Sequence, residues 1–183
     1  MAHIAVPEGV PGIRSLVLFR PDTGKYLYDL VQVLLRDPSP LTAAERELIA
    51  AHVSARNNCG FCRDSHAAAA RELYGEQRAL VDCVINEVSD ASISNKMKAL
   101  LTIAGKVQQS GKSVTAENIV EARKHGATDR DIHDTVLIAA TFSMFNRYVD
   151  GLASFTPTEP KTYEEMGKRM STLGYVLPQP PQK

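Results

Sequence analysis

The residues of this chain best suited to chemistry lie between positions 47 and 66. Glu47 is followed, twelve residues on, by a Cys-Gly-Phe-Cys sequence at 59–62, and His66 comes four residues after the second cysteine. Two cysteines separated by two residues are typical of a thiol redox site. The histidine and the carboxylate add groups that can move a proton to or from a sulfur atom. The stretch therefore predicts thiol-based redox chemistry.

The thiols need activation, because the thiolate is the nucleophile and a free cysteine is mostly protonated at neutral pH. A helix beginning near Gly60 would place both cysteines in its first turn, where free N–H groups and the helix dipole favour an anion. At about 100° per residue, His66 would lie about 40° from Cys62 and about 20° from Cys59 around that helix. The imidazole is therefore predicted to serve either sulfur as a base or as a cationic partner, and so to lower a thiol pKa. The spacing also lets one sulfur resolve a sulfenic acid or mixed disulfide formed on the other.

Glu47 is predicted to lie on a helix that starts at a capping box of Thr42 and Glu45 and ends near Asn57. The same helix face carries small residues that let another helix approach, namely Ala50, Ala51 and Ser54. A carboxylate on such a face is expected to be partly buried, and beside an imidazole it would orient the ring and hold or relay its proton. Glu45 is the other carboxylate that could face the histidine, but its predicted role in the capping box already accounts for its presence.

The elements that must position these residues are helices, separated by proline, glycine and capping residues. The predicted helices cover about residues 21–36, 42–57, 60–74, 76–87, 97–109, 115–124, 128–152 and 162–173. Leu16–Phe19 is the best strand candidate, but an alternating partner is missing. We therefore predict an all-α fold.

The longest predicted helix has two unusual features. Its residues 136–145 are apolar nearly all round, which is typical of a helix buried in the core or in a subunit interface. It also repeats part of an earlier helix, with matching Leu-Ile-Ala-Ala runs at 48–51 and 137–140. The polar pairs that match at the same offset are Ser54 with Ser143 and Asn57 with Asn146. The repeat indicates either coincidence between alanine-rich helices or a duplicated helical unit in which only the first copy kept its cysteines.

Composition narrows the classes of function. The 183 residues contain 21 Lys plus Arg and 21 Asp plus Glu, so the formal net charge is zero. This balance argues against a general nucleic-acid binder and is permissive for oligomers. No apolar run of about 18 residues predicts a membrane span, and the N-terminus lacks the pattern of a secretory signal. Three cysteines do not make a disulfide framework, so we predict a cytoplasmic protein whose dithiol is catalytic or metal-binding.

Two other interpretations of the dithiol stay open. It could be a buried structural pair beside a solvent-exposed histidine. It could also bind zinc, with ligands from Cys59, Cys62 and His66 and a fourth from Cys83 or His52, although no second close cysteine pair supports this. Cys83 is expected to be a small core residue, and His52 a satisfied core or interface histidine.

The segment from Glu45 to His66 resembles the alkylhydroperoxidase AhpD / carboxymuconolactone decarboxylase superfamily, most closely its peroxidase-related branch. The family pattern is a glutamate, a Cys-x-x-Cys twelve residues later, and then x-x-x-His. The residues of this chain that fit the pattern are Glu47, Cys59, Cys62 and His66. The Asn-Arg-Tyr-Val-Asp-Gly sequence at 146–151 also resembles that branch, and the likeness spans about residues 20–155. The resemblance implies an AhpD-like helical bundle, homo-oligomers that are often trimers or hexamers, and thiol-dependent peroxidase activity.

The resemblance also implies roles for the two sulfurs. In AhpD the cysteine before the histidine is generally taken to attack the peroxide and the other to resolve, which would be Cys62 and Cys59 here. AhpD proper has a histidine between its cysteines. This chain has Phe61 at that place, so part of the family's proton relay is missing and the surroundings of the sulfur become more apolar. Such surroundings suit an organic hydroperoxide.

We predict one all-α domain over residues 1–176, followed by a proline-rich tail at 177–183 that is disordered or strapped onto a neighbour. The predicted function is a thiol-dependent hydroperoxidase that needs no metal or organic cofactor. His66, steered by Glu47, keeps Cys62 ionised for attack on the distal peroxide oxygen. Cys59 then closes a disulfide, which an external dithiol reduces. The alternatives are an acid–base enzyme of the carboxymuconolactone decarboxylase type, and a dithiol redox switch without turnover.

Overall fold

The computed structural model describes residues 2–88 and 91–178, which form helices and no β-strand. The α-helices of these residues are α1 (Ile13–Phe19), α2 (Pro21–Arg36), α3 (Ala43–Arg56), α4 (Gly60–Tyr74), α5 (Ala79–Asn86), α6 (Asn95–Gln109), α7 (Ala116–Lys124), α8 (Asp129–Gly151) and α9 (Pro160–Leu173). The predicted all-α fold is confirmed. Leu16–Phe19, the strand candidate, belongs to α1.

Two helices begin at the capping residues that the sequence marks. The backbone N–H of Glu45 donates to the Thr42 hydroxyl, and the Glu45 carboxylate accepts from the backbone N–H of Thr42. Thr128 and Asp131 form the same reciprocal pair at the start of α8. Such pairs satisfy N–H groups that have no partner inside the helix. The capping role predicted for Glu45 is confirmed, and this carboxylate is therefore engaged away from the dithiol.

Helix α3 is the element around which the dithiol region is built. It packs against α4, α6 and α8, and every residue from Leu48 to Ser54 is buried. A tight turn at Asn57 and Asn58 leads directly into α4, and Asn58 has a φ of 57°. Asparagine adopts this left-handed conformation more readily than most residues. The turn therefore lets α4 pack closely along α3.

The apolar interior consists of two clusters that meet at α4. Buried side chains of α3, α6 and α8 build the larger cluster. The smaller cluster contains Cys59, Phe61 and Cys62 together with apolar residues of α1 and α9. The two sulfurs are therefore surrounded by hydrocarbon rather than by water, which disfavours charge on them unless a neighbour compensates.

Helix α8 is only partly buried in this chain. Ile138, Phe142 and Phe145 face the core, but Met144 is 46% exposed and Leu137 is half-buried. The predicted burial of residues 136–145 is thus confirmed on the core side of the helix. Their participation in a subunit interface stays a prediction.

The residues of the internal repeat contact one another. The Asn57 side chain donates to Oγ of Ser143 at 3.4 Å, and the Asn146 side chain donates to Oγ of Ser54 at 3.1 Å. Nδ2 of Asn57 also donates to Oδ1 of Asn146 at 2.8 Å. The contacts of α3 and α8 are therefore reciprocal, as in a local two-fold arrangement. The duplicated helical unit itself stays a prediction.

The end of the described chain folds back onto α2. Gly174, with a φ of 68°, ends α9, and the backbone N–H of Tyr175 donates to Oε1 of Gln32 at 2.8 Å. Leu177 and Pro178 are the last described residues, so most of the predicted tail, 179–183, lies outside them. The division into a domain at 1–176 and a tail stays a prediction. No helix in the described part of the chain is long and apolar enough to cross a membrane.

Gly167 sets how closely α9 can approach α4. A methyl group at this position would lie 2.7 Å from the backbone carbonyl carbon of Ala68 and 2.9 Å from its oxygen. We expect Gly167→Ala to lower the free energy of unfolding by about 1–3 kcal/mol, because the two backbones must move apart. Urea unfolding followed by circular dichroism measures this change.

Gly151→Ala is the matched control for that substitution. Gly151 lies in the last turn of α8, and an added methyl group would meet nothing within 4 Å. Alanine in a helix is favoured over glycine by up to about 1 kcal/mol, so this variant is expected to be as stable as the wild type or more stable. Equal effects of the two substitutions would contradict the close approach at Gly167.

Candidate active site

The buried pair of Glu47 and His66 joins α3 to α4. Oε2 of Glu47 lies 2.7 Å from Nδ1 of His66, and the two residues are 0% and 7% exposed. The small side chains that share the helix face with Glu47 are buried, and α3 packs along α4. The expected approach of the carboxylate to the imidazole is therefore present in the structure.

Two further groups hold the other oxygen of the same carboxylate. Nη2 of Arg36, the last residue of α2, donates to Oε1 of Glu47 at 2.5 Å, and the Tyr175 hydroxyl donates to the same atom at 2.6 Å. The guanidinium of Arg36 also lies over the Tyr175 ring and donates to the Met170 carbonyl at 3.0 Å. Arg36 therefore ties α2, α3 and the end of α9 together at Glu47.

These partners decide the charge of Glu47. Burial alone would raise the pKa of its carboxyl group. The attraction and hydrogen bond of His66, the charge of Arg36 and the hydrogen bond of Tyr175 outweigh burial, so the pKa of Glu47 lies below its ordinary value. The carboxylate is therefore ionised at neutral pH, where it can accept three hydrogen bonds and hold a proton on His66.

Aromatic rings fix the orientation of the His66 imidazole. The Phe142 ring meets it edge-on at 4.4 Å between centroids, and the Tyr175 ring is stacked at 6.1 Å. Nδ1 is occupied by Glu47, so Nε2 is the nitrogen that faces away from the carboxylate. With Nδ1–H donated to Glu47, Nε2 of the neutral ring carries a lone pair and can act as a base.

The two cysteines differ in position. Cys59 is the residue immediately before α4 and is 0% exposed, and Cys62 lies in the first turn and is 3% exposed. The predicted helix start at Gly60 is thus confirmed, and neither cysteine forms a disulfide here. Cys62 and His66, one turn apart, line the same cavity, whereas Cys59 does not line it. Access from the cavity therefore favours Cys62 over Cys59 as the sulfur that meets a substrate.

The expectation that Cys62 is kept ionised is wrong for the reduced, resting pair. The hydrogen bond with Cys59, burial and the charge of Cys59 raise the pKa of the Cys62 thiol well above its ordinary value, although a hydrogen bond from Asn146 acts in the opposite direction. Two adjacent buried sulfurs cannot both carry a charge at low cost. In the reduced pair the protonated form of Cys62 is therefore favoured.

The cavity beside Cys62 is small and mostly apolar. Its volume is about 50 Å³. Phe61, Phe142 and Met166 are among its apolar lining residues, and the polar groups include Ser65 and Arg169. Since one water needs roughly 10–15 Å³, the cavity has room for a hydroperoxide group, and a larger substituent must extend toward the opening.

Three residues at this centre are not predicted from the sequence. Arg36, Tyr175 and Asn146 reach it from α2, from the segment after α9 and from α8. Asn146 belongs to the internal repeat and to the family-like sequence at 146–151, but neither pattern assigns it to the dithiol. Arg36 and Tyr175 carry no local pattern, although an aromatic residue directly after the glycine that ends α9 is a weak signal of a chain segment packed onto the protein.

The structure also decides two predictions about residues outside the dithiol. Cys83 is exposed rather than a core residue, so that prediction is wrong. His52 is 5% exposed and hydrogen-bonded to the backbone of Val84, and burial lowers its pKa to about 4, as suits a neutral core histidine. Among residues 2–88 and 91–178, no three His, Cys, Asp or Glu side chains are grouped so as to hold a metal ion.

Comparison with known protein families covers the same part of the chain. The sequence profile of the carboxymuconolactone decarboxylase family matches residues 21–105, a range that contains the glutamate, both cysteines of the pair and the histidine. No curated protein matches the chain significantly.

Two solved structures are similar over most of the chain. One is an uncharacterized peroxidase-related protein from Ralstonia eutropha JMP134, described as an alkylhydroperoxidase AhpD core, with 28% identity and a TM-score of 0.76 over 87% of this chain and 82% of that one. The other is an uncharacterized peroxidase-related protein from Silicibacter sp. TM1040, with 26% identity and a TM-score of 0.76 over 85% of this chain and 79% of that one.

Proposed function

We propose that this chain, an AhpD-like protein of the carboxymuconolactone decarboxylase superfamily, is a thiol-dependent peroxidase that reduces organic hydroperoxides. One observation carries the proposal. Cys62, with Cys59 within hydrogen-bond distance behind it, shares a mostly apolar cavity with a histidine held by Glu47. Such a cavity admits an alkyl group and keeps most water away from the reacting sulfur.

The first chemical step transfers one oxygen atom to sulfur. His66 accepts the Cys62 proton as the thiolate attacks the distal oxygen of the hydroperoxide. An S–O bond forms while the O–O bond breaks, and the leaving alkoxide takes the proton from His66 to give an alcohol. Because the pKa of Cys62 is raised, we assign His66 the role of a general base in this step. Glu47 stabilises the imidazolium that forms for a moment.

The remaining steps return the enzyme to its starting state. The Cys59 sulfur attacks the sulfenic sulfur of Cys62, so a disulfide forms, and hydroxide leaves with the Cys59 proton as water. An external dithiol then reduces the disulfide and becomes a disulfide itself. In sum, one hydroperoxide and one dithiol give one alcohol, one water and one external disulfide.

Turnover and mass together test the proposal. Reduced protein is mixed with cumene hydroperoxide, and a loss of about 2 Da is expected as the disulfide forms. Cumyl alcohol should then accumulate in many-fold excess over protein when dithiothreitol is present. Oxidation in a single round without turnover would instead support a redox switch. Absence of any oxidation would remove the peroxidase proposal.

A second candidate is an acid–base enzyme of the carboxymuconolactone decarboxylase type. The raised pKa of Cys62 favours it, because Glu47 and His66 could act on a substrate without any thiolate. The match to that family's profile points the same way. Activity of Cys62→Ser on a lactone substrate would establish this candidate, whereas the peroxidase requires the sulfur.

A homo-oligomer, a trimer or a hexamer, belongs to the same proposal. Tyr26, Leu30 and Val33 lie on one face of α2 and are 72%, 36% and 52% exposed. Neighbouring exposed apolar side chains of this kind mark interaction surfaces. Analytical ultracentrifugation gives the number of subunits, and a monomer at micromolar concentration would contradict the proposal.

Tyr175→Phe is expected to lower kcat/KM roughly tenfold, since a hydrogen bond to a charged group is worth about 1.5–3 kcal/mol. Burial and the charge of Glu47 raise the pKa of Tyr175 well above its ordinary value, so its hydroxyl is a donor throughout the neutral range. Without that donor the pKa of Glu47 rises. The acidic limb of the pH–rate profile should therefore move to higher pH.

Tyr74→Phe is the control for the loss of a tyrosine hydroxyl, because Tyr74 ends α4 and does not line the cavity. It should leave the pH–rate profile unchanged. If Tyr175→Phe also leaves the profile unchanged, the Tyr175 hydroxyl has no part in holding the charge of Glu47.

A further inference from the structure

Two arginines share the cavity with Cys62 and His66. Arg14 belongs to α1 and Arg169 to α9, and both line the cavity. Within residues 2–88 and 91–178, neither forms an ion pair with a carboxylate. Glu159 and Glu165 line an outer groove together with the same arginines but lie beyond ion-pair distance of them. Both positive charges therefore lack a direct partner in the described part of the chain.

Three polar atoms of the cavity lining are buried without a hydrogen-bond partner. They are Nε of Arg14, Nε of Arg169 and Oγ of Ser65. Ser65 is 4% exposed and lies on α4 between Cys62 and His66. Buried polar groups in native proteins are nearly always paired, so each unpaired one needs an explanation, such as a bound partner. Three unpaired donors around one cavity point to a missing acceptor.

The two guanidinium groups also act on each other. Burial and the charge of Arg169 lower the pKa of Arg14. Two cations that repel one another at the edge of an apolar space are stabilised by an anion that binds both. A carboxylate fits this place, because its planar pair of oxygens matches the fork of a guanidinium group.

We propose that Arg14, Arg169 and Ser65 bind a carboxylate of the substrate, so that the preferred substrate is an organic hydroperoxide bearing one carboxylate. This inference rests on the proposed peroxidase function. The hydroperoxide group lies at Cys62 and His66, and the carboxylate lies at the arginines. Different groups of the cavity thus recognise the two ends of one molecule. The thiol and its base contact the hydroperoxide, and the two guanidinium groups contact the carboxylate.

Two measurements test this site. The first compares kcat/KM for cumene hydroperoxide and for its para-carboxylate with wild type, Arg14→Met, Arg169→Met and the exposed control Arg123→Met. The second measures, by calorimetry, the binding of unreactive 4-isopropylbenzoate and of the uncharged 4-isopropylbenzamide. We expect the wild type to prefer the carboxylate in both assays. Each of the two cavity variants should lose roughly 10–100-fold in affinity for the benzoate, and Arg123→Met should behave as wild type.

The outcomes separate this inference from the function on which it rests. Equal turnover of the two hydroperoxides, or equal binding of benzoate and benzamide by the wild type, would overturn the carboxylate site and leave the peroxidase standing. Arginine-dependent benzoate binding without turnover of either hydroperoxide would overturn the peroxidase and support the site. If a methionine variant fails to fold, the comparison of charged with uncharged ligands in the wild type still tests the site. Arg169→Lys, which keeps the positive charge, then replaces the methionine variant.

Discussion

Cys62→Ser is expected to abolish hydroperoxide turnover, with kcat/KM falling by roughly 10⁴-fold or more, as happens when a catalytic nucleophile is removed. Cys62 is the sulfur that lines the cavity with His66, and a serine hydroxyl does not ionise near neutral pH. The coupled oxidation of dithiothreitol, followed at a fixed concentration of cumene hydroperoxide, measures the loss. Cys83→Ser, which alters an exposed cysteine outside the pair, is the matched control and should retain full activity.

Cys59→Ser separates the attacking sulfur from the resolving one. This variant should still react once, gaining about 16 Da as the sulfenic acid of Cys62 forms, but it should not complete a catalytic cycle. Because Cys59 is the main cause of the raised pKa of Cys62, the variant should also react with iodoacetamide at lower pH than the wild-type pair. A single round of oxidation in Cys62→Ser and none in Cys59→Ser would reverse the two roles.

Most helices of the fold, though not α1, are predictable because their signals are local. The capping box at Thr42 and the helix start at Gly60 each act within a few residues. The face of small residues beside Glu47 depends on helical spacing alone. These patterns place the carboxylate, the dithiol and the histidine on adjacent helices. The resemblance to the AhpD-like superfamily indicates in addition that the carboxylate and the histidine act together with the dithiol.

The rest of the centre depends on contacts between distant parts of the chain. Tyr175 meets Glu47 across 128 residues, and Asn146 meets Ser54 across 92. No periodicity links such positions, so the network around the carboxylate was not predicted. The pKa of Cys62 was misjudged for a related reason. A helix N-terminus and a nearby histidine favour a thiolate, but the hydrogen bond with Cys59 and burial raise the pKa of Cys62.

The second large effect is expected at Glu47. Glu47→Gln should reduce kcat/KM by about 10²–10³-fold, since the neutral amide cannot stabilise an imidazolium and general acid–base assistance is worth roughly 10²–10⁴-fold. It should also lower the free energy of unfolding by about 3–5 kcal/mol, because Arg36 is left as a buried charge without its partner. Glu45→Gln removes a neighbouring carboxylate that only caps α3, so it should cost no more than about 2 kcal/mol and leave activity intact.

The stability effect of Glu47 depends on pH in a defined direction. Its pKa in the folded state lies below the ordinary value of 4.5, so its contribution is fully present above about pH 4.5. That contribution is lost as the pH falls through the folded-state pKa, where the carboxylate becomes protonated. The difference in unfolding free energy between wild type and Glu47→Gln should therefore be largest near pH 7 and shrink in acid. A difference that is constant with pH would mean that the charge of Glu47 contributes nothing to stability.

The double variant Arg36→Met with Glu47→Leu separates the structural role of the ion pair from its chemical role. Replacing a buried ion pair by apolar groups of similar size is often neutral or stabilising, whereas removal of one partner leaves an unpaired charge. We therefore expect the double variant to recover much of the stability that Glu47→Gln loses. Activity should stay as low as in Glu47→Gln, because His66 would still lack the carboxylate that orients and charges it. Recovery of activity together with stability would show that Glu47 serves only to hold α2, α3 and α9 together.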